Sequence, residues 1–175
     1  MLECEIDKEL LKQARKAAAC LLEHLKARSL KLALSESCTA GFISSLLAEI
    51  PGASCVLWGS FVCYTKEAKI ALFGFEESEL DKYGLVSRET ACKMAFSAIQ
   101  KSGADIAASV TGIAGPHGDG SNVPVGTVWI AIALKNGDIK AQEFYFKGSR
   151  NEVRIQAVIA VLKSIQSSAE LAFTP

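Results

Sequence analysis

Between an apolar, β-prone run (Leu32, Ala33, Leu34) and a helical pattern (Phe42, Ile43, Leu46, Leu47, Ile50) the chain places Glu36-Ser37-Cys38-Thr39, a cluster of small polar residues. The order reads strand, tight turn, helix, with Ser37, Cys38 and Thr39 at the helix entrance. Backbone N–H groups point outward unpaired at such an end. They attract anions and can stabilise an oxyanion, so a hydroxyl or thiol placed there is a candidate nucleophile. Capping is the ordinary role of Ser and Thr in this place, and the local pattern leaves both roles open.

The elements that would carry this turn are legible on either side. Residues 6–28 read as an amphipathic helix, with Leu10, Leu11, Ala14, Ala17, Ala18, Leu21, Leu22 and Leu25 on one stripe, expected to lie against a sheet. His24 falls at the edge of that stripe. After the turn, Pro51-Gly52 ends the second helix. Residues 54–65 are dense in β-branched and aromatic side chains, with Gly59 marking a bulge or a close backbone approach. This strand delivers Tyr64 to its end. A short helix, residues 66–73, follows and Gly74 stops it, so Tyr64 and Lys69 lie about a turn apart. Ser87 opens a longer helix to about Lys101. Residues 105–111 then form an apolar run typical of a strand buried on both faces, ending at Thr111. A loop rich in glycine, Gly112 to Gly120, can approach a ligand closely, though it is neither a Walker A loop nor G-x-G-x-x-G. Residues 125–134 and 139–146 read as an antiparallel hairpin about Asn136-Gly137, and Ser149-Arg150-Asn151-Glu152 has capping-box spacing before the last helix. Helices alternating with strands and closing on a hairpin imply an α/β fold: a mixed sheet covered by helices on both sides.

Composition narrows the function classes. The 175 residues are half hydrophobic, enough for one domain with a substantial core spanning residues 1–175. Nineteen basic residues balance nineteen acidic ones, and no basic block could neutralise a run of phosphates, so nucleic-acid binding is not expected. The start, Met1-Leu2-Glu3-Cys4-Glu5, is acidic where a signal peptide is basic, and no apolar run is long enough for a bilayer. The expectation is a soluble, cytoplasmic protein without membrane contact. Six cysteines are scattered without a C-x-x-C pair. Cys4, Cys20, Cys55, Cys63 and Cys92 read as reduced packing residues, while Cys38 sits beside chemistry but without a neighbouring histidine. With only His24 and His117 and no spaced ligand pair, no metal site is expected.

Five motifs in order, E-S-C-T-A-G (36–41), F-V-C-Y-T-K-E-A-K (61–69), V-T-G-I-A-G-P (110–116), P-V-G-T-V-W (124–129) and G-S-R (148–150), resemble the CinA C-terminal domain family over essentially the whole chain. The resemblance implies a three-layer α/β/α sandwich and hydrolysis of the carboxamide of nicotinamide mononucleotide, with no metal or organic cofactor, by a homo-oligomer. It also implies the roles: Ser37 as nucleophile, Lys69 as its base, Tyr64 orienting or relaying the proton, and the amides after Ser37 as an oxyanion hole. For Lys69 to act it must be neutral, and its apolar neighbours Ile70, Leu72 and Phe73 favour that. Thr111 and Gly112, at a buried strand end, are assigned to substrate, as are Glu36, Cys38 and Thr39 around the nucleophile. Arg150 at the opening of the last helix is assigned to phosphate, with Arg154 as the alternative. The family commonly has glycine where this chain has Ala40, which the helix reading puts in a first helical turn where alanine fits well. Two other readings use the same pocket: a nucleotide-binding or partner-docking module in competence or DNA damage, and a hydrolase of a different small amide.

Overall fold

The computed structural model describes residues 7–173, so Cys4 and the expected helix start at residue 6 lie outside the described residues. The elements are α1 (Lys8–Ala27), β1 (Leu32–Glu36), α2 (Phe42–Ala48), a 3-10 turn (Ala53–Cys55), β2 (Leu57–Val62), α3 (Lys66–Phe73), α4 (Glu77–Tyr83), α5 (Arg88–Ser102), β3 (Ile106–Gly112), β4 (Thr127–Leu134), β5 (Ile139–Tyr145) and α6 (Arg150–Ala172). The five strands make one sheet in the order β2-β1-β3-β4-β5. β1 runs parallel to β2 and β3, whereas β4 is antiparallel to both β3 and β5. This is the mixed, three-layer α/β/α sandwich expected from the sequence.

Strand side chains alternate between faces, and the alternation sorts the core into two layers. Leu32, Leu34, Ile106, Ala108, Ile130 and Ile132 join the apolar faces of α2 and α6. Burying each such Leu or Ile contributes about 1.5–3 kcal/mol. The opposite face is nearly all alanine: Ala33, Ala107, Ala131 and Ala133 pack on Ala91, Ala95 and Ala98 of α5. Small side chains bring α5 close enough for two sheet serines to reach it. Ser35 Oγ donates to the Met94 carbonyl (3.2 Å) and Ser109 Oγ to that of Ala91 (2.6 Å), satisfying both buried hydroxyls.

Caps fall at Ser87 and Ser149 as the sequence places them, and at Asp7 as well. Asp7, Ser87 and Ser149 accept from the amides of Leu10, Thr90 and Glu152, and Ser149 forms a full capping box with Glu152. The Gly59 expectation also holds: the β1–β2 register slips by one residue between Leu32 and Ala33, the latter pairing with Gly59. Three expectations fail. The main neighbours of α1 are α6 and α2 rather than the sheet, because its stripe is matched by the long apolar face of α6. Of the cysteines read as packing residues, Cys63 is buried, Cys92 is half-buried, and Cys20 and Cys55 are exposed. Finally, α2 begins at Phe42, so Ser37 to Gly41 form a separate turn instead of a helix start.

Candidate active site

Three parallel strands end side by side and deliver their continuations to one cleft of about 200 Å³, lined by Ser37, Tyr64, Lys69, Thr111, Gly112 and Arg150 among others. Open α/β sheets place ligands at this end of their strands. A larger groove of about 1080 Å³ runs along β4, β5 and α6, but none of those residues lines it. The smaller cleft is the candidate site because the chemistry converges there.

Ser37 directly follows β1 and extends its ladder, its amide donating to the Val110 carbonyl (3.0 Å). Lys69 arrives from α3, which Thr65 caps by accepting from the Ala68 amide (3.2 Å). Its Nζ lies 2.9 Å from Ser37 Oγ and 3.1 Å from the Cys63 carbonyl oxygen, and the residue is only 2 % exposed. Burial lowers the lysine pKa, since the charged form loses its hydration; thiolates at Cys63 and Cys38 would oppose this. Those thiols are themselves pushed up by burial, Cys38 to about 12, so at neutral pH both are uncharged and the opposition vanishes. The same shift removes Cys38 as a rival nucleophile, because a thiol reacts through its thiolate.

Tyr64 and Arg150 stand at the mouth. The Tyr64 hydroxyl accepts from Arg150 Nη2 (2.5 Å), and Arg150 Nη1 donates to the Gly115 carbonyl (2.6 Å), tying β2, the glycine-rich loop and α6 together. Tyr64 is half exposed and its recorded partner is Arg150, neither Ser37 nor Lys69. Thr111 is buried, and its hydroxyl donates to the Leu85 carbonyl (2.8 Å), leaving lone pairs for the cleft. Gly112 is glycine first for packing: a Cβ there would sit 2.7 Å from the Thr127 carbonyl oxygen.

Glu36 and Thr39, expected at the substrate, do not line the cleft. The fully buried Glu36 carboxylate accepts from Thr39 Oγ1 (2.8 Å), Ser60 Oγ (3.1 Å) and the amides of Ile43 (3.1 Å) and Ser44 (3.0 Å). It therefore caps α2 from a distance and occupies the helix end that the sequence pattern offers to an anion. Ala40 is corrected too: its φ is 53° and that of Gly41 is 87°, so the turn passes through consecutive left-handed residues, a conformation costing an L-residue about 1–2 kcal/mol. Arg154, the alternative to Arg150, does not line the cleft: its guanidinium donates to the carbonyls of Cys38 (3.2 Å) and Thr39 (3.0 Å) and to Asn151 Oδ1 (3.2 Å). Sequence reasoning missed Leu85, Val86, His117 and Asp119, which also line the cleft. Only the glycine-rich loop signalled the last two.

The profile of the CinA C-terminal domain matches residues 14–169. The chain belongs to the CinA C-terminal domain family. It is 41% identical over 140 residues to the nicotinamide-nucleotide amidohydrolase PncC of Enterobacter agglomerans, covering 80% of this chain and 85% of that protein. A putative competence-damage inducible protein of Halothermothrix orenii is 42% identical over 130 residues, covering 74% of this chain but 32% of that longer protein. Among solved structures, the competence/damage inducible protein CihA from Agrobacterium tumefaciens superposes with a TM-score of 0.84 at 36% identity, covering 89% of this chain and 94% of that one. Among the described residues, no helix is long and apolar enough to cross a membrane.

Proposed function

We propose that the cleft hydrolyses the carboxamide of nicotinamide mononucleotide to the carboxylate and ammonia. The observation that carries this reading is Lys69 Nζ held 2.9 Å from Ser37 Oγ with burial favouring the neutral amine. The family membership and the PncC relative, named for nicotinamide-nucleotide amidohydrolysis, support the substrate. Neutral Lys69 takes the Ser37 proton as Oγ bonds to the carboxamide carbon. The tetrahedral adduct collapses, its C–N bond breaks, and the leaving nitrogen takes that proton to depart as ammonia. Water, deprotonated by Lys69, then attacks the ester carbon; the C–Oγ bond breaks and Ser37 recovers its proton. Arg150 and Tyr64 at the mouth stand where the ribose phosphate emerges. Ser149 and Glu152 already pair with each other at the start of α6, so the guanidinium carries phosphate recognition.

The test is ammonia release from nicotinamide mononucleotide and a panel of other pyridine amides. Wild type should favour the mononucleotide, and Ser37→Ala should be inactive. Lys69→Arg should fail nearly as badly as Lys69→Ala, because a guanidinium stays protonated. Substantial turnover by Ser37→Ala would overturn the mechanism, and preference for an unphosphorylated amide would overturn the substrate.

A further inference from the structure

Nicotinamide mononucleotide carries charges of both signs: the phosphate, and the quaternary ring nitrogen that bonds the ribose. Arg150 offers the first a partner, and the second has none assigned. With the carboxamide at Ser37 and the phosphate at Arg150, that nitrogen must lie between them, because it sits two bonds from the ring carbon that bears the carboxamide. The glycine-rich loop runs along this path. It leaves β3 beside Ser37, whose amide donates to the Val110 carbonyl (3.0 Å), and Arg150 Nη1 holds it at the Gly115 carbonyl (2.6 Å). Residues 112–115 and 117–119 of the loop line the cleft, and among the described residues Asp119 is the one carboxylate that does so. Its side chain is fixed in place. Oδ1 accepts from the Ser121 amide (3.0 Å) and from Ser121 Oγ (2.6 Å), which in turn accepts from the Val123 amide (3.2 Å). Oδ2 has no hydrogen-bond partner among the described residues, and no ion pair joins the carboxylate to His117, Arg150 or Lys69, the basic side chains of the cleft. A quaternary nitrogen has no N–H to donate, so an oriented carboxylate without a cation of its own is the group that can recognise it.

We infer that Asp119 is a specificity-determining residue: its carboxylate reads the positive charge of the pyridinium ring and selects quaternary nicotinamides over uncharged ones. The inference rests on the nicotinamide reading above and goes beyond it by naming what senses the ring charge. The same carboxylate repels phosphate and so keeps the nucleotide pointing one way, carboxamide to Ser37 and phosphate to Arg150. Opposite unit charges about 6 Å apart attract enough for roughly threefold in bulk water and about a hundredfold at an effective dielectric constant of about 20. Asp119 is exposed at the mouth, so about fivefold to tenfold is expected.

The test compares nicotinamide mononucleotide with its reduced dihydro form, which keeps the ribose, phosphate and carboxamide but has an uncharged ring. Both are titrated calorimetrically into Ser37→Ala, which holds them unhydrolysed, and into Ser37→Ala combined with Asp119→Asn. Asparagine keeps an acceptor for Ser121 and loses only the charge. The first protein should bind the charged ring about fivefold to tenfold more tightly. The second should bind the two forms within about twofold, through loss on the charged form alone. With Ser37 in place, Asp119→Asn should raise KM for the mononucleotide by the same factor at nearly unchanged kcat, because the ring charge is the same in bound substrate and transition state. Should the asparagine variant not fold, Asp119→Ala is measured in its place. A preference that survives loss of the carboxylate, equal binding of both forms by Ser37→Ala, or binding of neither overturns the inference. Ammonia release by wild type decides the hydrolytic reading separately. Without it a lost preference still sustains the role of Asp119, and with it a surviving one still overturns that role.

Discussion

Replacing Lys69 by methionine should destroy activity and raise stability. The amino group is 2 % exposed and hydrogen-bonded to Ser37 Oγ and the Cys63 carbonyl, so the charged form is held in a place that burial disfavours. Removing it should relieve about 1–3 kcal/mol of desolvation and lose two hydrogen bonds together worth about 1–2 kcal/mol, for a net gain of up to about 1 kcal/mol. For this chain length that corresponds to about 2–4 °C in Tm. The pH dependence follows from the direction of the shift. The unfolded chain keeps the lysine proton up to about the ordinary value of 10.5, whereas the folded protein releases it earlier. Below the lowered folded value both states are protonated and the penalty is present in full. As the pH rises through that value towards 10.5, the folded state becomes neutral first and wild type gains stability relative to Lys69→Met. Urea unfolding from pH 7 to 10, followed by the fluorescence of Trp58 and Trp129, measures the difference, and the pH at which it begins to shrink reports the folded pKa. A difference that widens with pH would mean a raised lysine pKa and would refute its use as a base.

Ala40→Gly removes only an exposed methyl from a left-handed residue, so a strain of about 1–2 kcal/mol offset by glycine's greater unfolded freedom leaves a stabilisation of about 0.5–1 kcal/mol. Calorimetry should show Tm rising by about 1–4 °C, and a fall would mean that the turn is relaxed. In Arg150→Ala, the preference for nicotinamide mononucleotide over its riboside in kcat/KM should shrink by roughly tenfold or more, chiefly through loss on the phosphorylated substrate. An unchanged ratio would place the phosphate elsewhere. Cys38→Ser should alter kcat/KM by less than about threefold, because burial keeps the thiol protonated. Rapid loss of wild-type activity to iodoacetamide at pH 7, absent in the serine variant, would contradict that.

Period-2 and period-3.6 patterns located the five strands and the long helices because burial here is decided locally: β3 is mostly apolar and is buried on both faces, and Ser87 and Ser149 cap as their spacing demands. The resemblance brought Ser37, Tyr64, Lys69, Thr111, Gly112 and Arg150 to what the structure shows as one cleft. Other features were illegible for physical reasons. A strand followed by small polar residues and then a helical stripe has the same sequence signature whether the polar residues cap the helix or form a turn of their own. Glu36 settles the matter through contacts to Ile43 and Ser44, seven and eight positions on, which no capping rule spans. Arg154 lies more than a hundred positions from the carbonyls it holds, and only the packing of α6 beside the turn reveals it.

One signal within reach of sequence would have separated Glu36 from Ser37. The β1 ladder continues one step past the strand, with Cys63 donating to the Glu36 carbonyl and Ser37 to that of Val110, so side chains keep alternating there. Ser35 faces α5, where it reaches Met94; Glu36 faces the opposite layer, where it reaches α2; Ser37 returns to the first side, where α3 packs with α5 and presents Lys69. Alternation alone therefore sends the carboxylate to one layer and the hydroxyl to the other. It also explains why Ser37 and Lys69 can meet although they come from different βα connections. A hydroxyl moved back by one residue, to position 36, would face α2 and lie across the sheet from Lys69, so the contact between Ser37 and Lys69 depends on the parity of the strand as much as on the identity of either residue.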